Sequence, residues 1–133
     1  MSMDRRTFVA GAAFVAAAPA PALADAGKTK TMYGLIGRMT ARPGRRGELV
    51  AILLEGVSGM PGCLSYIVAE DPADPNLIWI TEAWESKQAH AASFSLASVK
   101  AAIAKGRPLI ADMAAVAETA PVGGHGLVTP AGR

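Results

Sequence analysis

Tyr66, Asn76, Glu82, Trp84, His90 and Arg107 are the residues of this chain whose types and spacing suit chemistry. His90 lies in the regularly patterned part of the sequence, whereas His125 falls in a Gly- and Pro-rich tail. Imidazole titrates near neutral pH, so His90 suits a proton acceptor; the plainer reading is a half-exposed helix histidine. Trp84 and Tyr66 alternate onto strand faces shared with Ile78 and Leu64. There they can stack on a flat aromatic ligand or simply fill the core. Glu82 stands between Ile80 and Trp84, and a buried carboxylate needs a partner. Arg38 or Arg107 is the expected one, in a structural salt bridge. Arg107 can instead hold an oxyanion. Asn76, at the mouth of a strand, can donate to a ligand oxygen, although forming the turn is its more ordinary use.

These residues are positioned by a short run of elements. Residues 31–42 alternate as a strand, with Tyr33, Leu35, Gly37 and Met39 on one face. Pro43-Gly44 ends it. Over 45–58 the spacing turns helical, with Leu49, Ile52, Leu53, Gly56 and Val57 on one side. Pro61-Gly62 stops that helix, and 63–69 is a second strand. A proline-bearing turn over 71–76 leads to a third strand over 77–84. Ser86 caps a helix that carries His90 and Phe94, and Leu96, Val99 and Ile103 continue its spacing to Gly106. Pro108 opens a short turn, and 113–120 is a fourth strand. The order β-α-β-β-α-β predicts a ferredoxin-like α+β domain with both helices on one face of an antiparallel sheet. The second and third strands are apolar on both faces, as Ile67 and Trp79 illustrate, so a partner is expected on the open face. A second copy packed sheet to sheet is the simplest cover.

The chain has 133 residues and a formal net charge of +2. Residues 1–24 read as an export leader: Arg5-Arg6-Thr7-Phe8, an alanine-rich stretch, then Ala22-Leu23-Ala24. The paired arginines resemble the twin-arginine signal, which places the mature protein in the periplasm. Pro19 and Pro21 break a stretch that is otherwise close to membrane-spanning length, so no stable anchor is expected after cleavage. Residues 25–30 read as a tether, 31–122 as the folded domain and 123–133 as a flexible tail. The mature chain is nearly neutral, which gives no field for nucleic acid or anionic lipid. The single cysteine, Cys63, cannot form an internal disulfide, and no zinc- or haem-attachment spacing is present.

Three segments carry a family resemblance: Pro61-Gly62-Cys63-Leu64-Ser65-Tyr66, Glu82-Ala83-Trp84-Glu85-Ser86-Lys87-Gln88-Ala89-His90, and Gly106-Arg107-Pro108-Leu109-Ile110. Together they resemble the antibiotic biosynthesis monooxygenases, and more closely the small bacterial quinol monooxygenase type, over about residues 31–122. The resemblance implies a dimeric α+β barrel and oxygen chemistry on phenols or quinols without metal or flavin. Such chemistry needs a base, a donor for the oxyanion and an apolar pocket. His90 is then the candidate base and Arg107 the candidate oxyanion donor, with Tyr66, Trp84 and Asn76 against the substrate. The expected partners are a small aromatic substrate, O₂ and a second copy of the chain. Two other readings stay open: a non-catalytic dimeric module that binds a small aromatic, and a haem-binding or haem-degrading relative with His90 as axial ligand.

Overall fold

The computed structural model describes residues 31–127. The leader and the tether lie outside the described residues, as does the end of the tail. The elements are β1 (Tyr33–Ala41), α1 (Arg46–Gly56), β2 (Cys63–Glu70), β3 (Leu77–Trp84), α2 (Lys87–Ser93), α3 (Ala97–Gly106), a 3-10 turn (Arg107–Leu109) and β4 (Ile110–Thr119). The four strands form one sheet in the order β2-β3-β1-β4. Every neighbouring pair is antiparallel. This is the ferredoxin-like α+β fold that the order of elements predicts.

Two boundaries differ from the sequence reading. The single long helix expected after Ser86 is two helices. Phe94, Ser95 and Leu96 each donate to the carbonyl three residues back, and Leu96 is extended at ψ 139°. Ser93 Oγ meanwhile donates to the His90 carbonyl at 2.6 Å, satisfying one of the groups that a helix end exposes. β4 starts at Ile110 rather than Met113, because the 3-10 turn at Pro108 delivers the chain straight into pairing with Ala41.

Met39, Ala41, Leu49, Ile78, Ile80 and Leu109 form the buried cluster between sheet and helices. α1 and α3 cross closely at Gly56, where a side chain would run into Ala102. Gly62 has φ +80° and faces Ala89, so a tight left-handed turn lets α2 come down on the sheet. Its carbonyl accepts from the Glu85 N–H at 2.8 Å, which fixes the entry into α2. The opposite sheet face carries Ile36, Ile67, Trp79, Ala114 and Ala117, mixed with Arg38 and Thr81. Ile67 is 55% exposed and Arg38 and Thr81 are exposed, so this face is less uniformly apolar than the sequence suggests. At its edge Pro121 lies against Gly34.

Candidate functional site

Side chains two apart on a strand share a face. Ile80, Glu82 and Trp84 therefore all point from β3 toward the helices, and they line a cavity of about 540 Å³. Tyr66 from β2, Leu35 and Met39 from β1, and Leu49 and Leu53 from α1 close its apolar walls. His90 and Phe94 reach it from the region of α2, and Arg107 stands at the lip beyond α3. Phe94 and Met113, both at least half exposed, mark the open side.

His90 sits among three aromatic rings. Tyr33, Trp84 and Phe94 have their ring centroids 5.3, 5.4 and 5.3 Å from the imidazole, the last two edge-on. Ser86 holds the helix in place, accepting from the Ala89 N–H at 3.1 Å as an N-cap. Tyr33 in turn donates to Glu118 Oε2 at 3.0 Å and lies 5.8 Å from Lys87 Nζ. Its phenol is pushed up to about 12, by burial first and by Glu118 next.

Among the described residues, Glu82 is not paired with an arginine. Leu35 lies opposite Glu82 on β1, and Arg38 pairs with Trp79 on the other sheet face. The Arg107 side chain has no hydrogen bond or ion pair with a described residue, although its backbone N–H donates to the Ile103 carbonyl. Trp84 Nε1 instead donates to Glu82 Oε1 at 2.8 Å, and His90 Nε2 lies 3.6 Å from the same oxygen. The shorter contact is a hydrogen bond, while the longer is a charge-pair distance. Side-chain exposure is 10% for Glu82 and 18% for His90. Burial raises the Glu82 carboxyl above its ordinary range, against the Trp84 hydrogen bond, which lowers it. Burial also lowers His90, with Glu118 opposing and Lys87 adding. The short separation favours a charged pair, yet desolvation is the largest cause at both groups and favours their neutral forms. Desolvation prevails at His90, which is held neutral, while the Trp84 N–H supports the Glu82 carboxylate, so Glu82 ionises, though at a higher pH than an exposed carboxyl.

His90, Trp84, Tyr66 and Arg107 thus come together around one cavity. Asn76 does not. It lies six residues before Glu82 along β3, about 20 Å away at strand rise. Its carbonyl accepts from the Ala41 N–H at 2.8 Å, and its side-chain oxygen faces the Gly44 N–H at 3.4 Å. It is a turn residue. Sequence reasoning did not single out Tyr33, and it took Glu82 for half of a salt bridge. The alternation on β1 places Tyr33 with Leu35, but only the position of α2 brings it to His90. An iron bound at His90 Nε2 would require that nitrogen to turn away from Glu82. Among the described residues, no three His, Cys, Asp or Glu side chains gather as metal ligands.

Comparison with known proteins agrees with this fold. The family model for antibiotic biosynthesis monooxygenase matches residues 32–105. A solved structure from Chloroflexus aurantiacus, described as belonging to that class, is 64% identical. It aligns over 72% of this chain and 98% of its own, with a TM-score of 0.68. A Caulobacter crescentus structure of the same description is 20% identical over 71% of this chain and 92% of its own, at a TM-score of 0.64. One from Nitrosomonas europaea is 14% identical over 71% and 93%, at 0.65. These last two likenesses show the fold alone. No functionally curated protein matches the chain. With more than half of the sequence matched and a relative this similar, the chain belongs to the antibiotic biosynthesis monooxygenase family.

Proposed function

We propose that the protein is a cofactor-independent monooxygenase that oxidises an aromatic quinol or polyphenol with O₂. The observation that carries this is one apolar cavity that gathers His90, Tyr66 and Trp84, with Arg107 at its lip. A cavity of about 150 Å³ holds benzene, and this one, at about 540 Å³, has room for a fused-ring quinol. The chemistry balances without a further reductant. A hydroquinone with a free ring C–H and one O₂ give a hydroxyquinone and water, and the substrate supplies all four electrons. His90 takes the phenolic proton, so that the phenolate can pass an electron to O₂. Arg107 holds the charge that develops on the substrate oxygen. Tyr66 and Trp84 bound the ring, and the apolar walls exclude water.

The test is oxygen uptake with a naphthohydroquinone, measured above autoxidation. One O₂ consumed per hydroxyquinone formed supports the reading. His90→Ala should slow turnover at least about tenfold, and less as pH approaches the substrate's own pKa. Binding of the quinol with no uptake above autoxidation would favour the competing reading, a non-catalytic aromatic-binding module.

The proposal includes a homodimer joined through the outer sheet face, supported by the exposed Ile67 and the neighbouring Ile36 and Trp79. It also includes export in folded form by the twin-arginine route, supported by Arg5-Arg6 and the weakly apolar stretch after them. Changing both arginines to lysine should leave the precursor unprocessed in the cytoplasm.

A further inference from the structure

An apolar cavity makes it hard for a lone histidine to deprotonate a phenol. Both reactants start neutral, and the transfer creates two charges where water is scarce. A carboxylate beside the histidine changes this, because one negative charge exists before and after the transfer. Glu82 lines the cavity, is nearly buried, and has Oε1 fixed by the Trp84 N–H at 2.8 Å and 3.6 Å from His90 Nε2. With an Nε2–H toward that oxygen, Nδ1 is the ring's free acceptor.

We propose that Glu82 is the final acceptor of the substrate proton and that His90 relays it. The substrate O–H bond breaks and an N–H bond forms at His90 Nδ1. The Nε2 proton then passes to the Glu82 carboxylate, whose negative charge is replaced by that of the phenolate. No electrons change hands in this step. The relay rests on the proposed use of the cavity for phenolic substrates, but not on oxygen turnover.

The groups that face the pair are few. Tyr33 on β1 and Cys63 and Tyr66 on β2 are all held neutral by burial first, and Glu82 adds to this at each. Lys87 on α2 and Glu118 on β4 act on His90 with opposite signs. Arg107 stands at the lip. Glu82 is the carboxylate among them that lines the cavity.

The experiment is an anaerobic titration with para-nitrophenol, whose anion is yellow. Glu82→Gln keeps an acceptor for the Trp84 N–H and cannot take a proton. Binding of the probe anion at about pH 8 should draw about one proton from a weakly buffered solution onto wild type, and at least about tenfold less onto Glu82→Gln, which has no carboxylate to receive it. His90→Gln should slow this uptake, which covers the case of one variant failing to fold. Equal proton uptake by wild type and by folded Glu82→Gln overturns the relay. So does a wild-type protein that leaves the probe unbound or protonated. The expected proton uptake without oxygen uptake from hydroquinones would overturn the monooxygenase reading and leave the relay standing.

Discussion

Replacing Trp84 with Phe removes one N–H from the cavity wall and leaves a smaller ring in its place. In the wild type that N–H donates to Glu82 Oε1 at 2.8 Å. The loss has two parts. Trp84 is 1% exposed, so the smaller ring leaves a void whose cost does not depend on pH. The hydrogen bond contributes about 0.5–1.5 kcal/mol when both groups are neutral and about 1.5–3 kcal/mol when the carboxylate is charged. The variant therefore loses about 1 kcal/mol more once Glu82 is ionised. Linkage gives the same sign. Burial raises Glu82, and the Trp84 bond holds it back. An acid with a raised folded pKa contributes stability that is full below its unfolded pKa and is lost as pH rises through the folded value. Without the indole the folded value rises further, so the loss is larger. Thermal melts of both proteins at about pH 4 and about pH 8 isolate this term, since the packing loss cancels in the comparison. For a domain of this size 1 kcal/mol moves Tm by about 4–8 °C, so the gap between the two proteins should widen by about that much at the higher pH. An equal gap at both pH values would refute the indole–carboxylate bond as an energetic term.

Glu82→Gln keeps the acceptor but cannot ionise, so it should match wild type in acid and melt above it at neutral pH. Gly56→Ala places a methyl against Ala102. The overpacking costs about 1–3 kcal/mol, more than the ~1 kcal/mol gained in helix propensity, and the urea midpoint should fall. Tyr33 is raised to about 12 and Tyr66 is raised by burial. Their contribution to stability is full below the ordinary tyrosine pKa and is lost as pH rises toward the folded values, so Tm should drop between about pH 9 and about pH 11. Ile67→Lys should convert the proposed dimer to a folded monomer in light scattering, because Ile67 is 55% exposed in the single chain. An unchanged mass would place the interface elsewhere.

The sheet was legible because its signal is local. Alternation over 77–84 puts Ile78, Ile80 and Trp84 on one face, and the structure buries all three. Ser86 announces the α2 cap by its type alone. The break after Ser93 was not legible, because Leu96, Val99 and Ile103 keep helical spacing after a turn that Ser93 and the three-residue hydrogen bonds create. The partner of Glu82 was illegible for a different reason. Spacing shows that Glu82 and Trp84 share a face, but not that α2 descends far enough to bring His90 there. That descent depends on the positive φ of Gly62 and on its carbonyl meeting Glu85, a contact between segments far apart in the sequence.

Glu82 and His90 both weaken the fold that contains them, since each prefers water to an apolar wall. A purely structural role for Glu82 would be to satisfy the Trp84 N–H, and glutamine keeps an acceptor for it. The two roles therefore predict different pairings of stability and chemistry. If Glu82 only supports Trp84, Glu82→Gln leaves the proton uptake on binding a phenolate unchanged. If it accepts the proton, the same variant is more stable at neutral pH and a poorer base. Trp84→Phe separates the contributions further, because it destabilises the domain while keeping the carboxylate. A gain in stability coupled to a loss of proton transfer at one position, with no loss of the Trp84 contact, is the signature of a charge kept for chemistry rather than for folding.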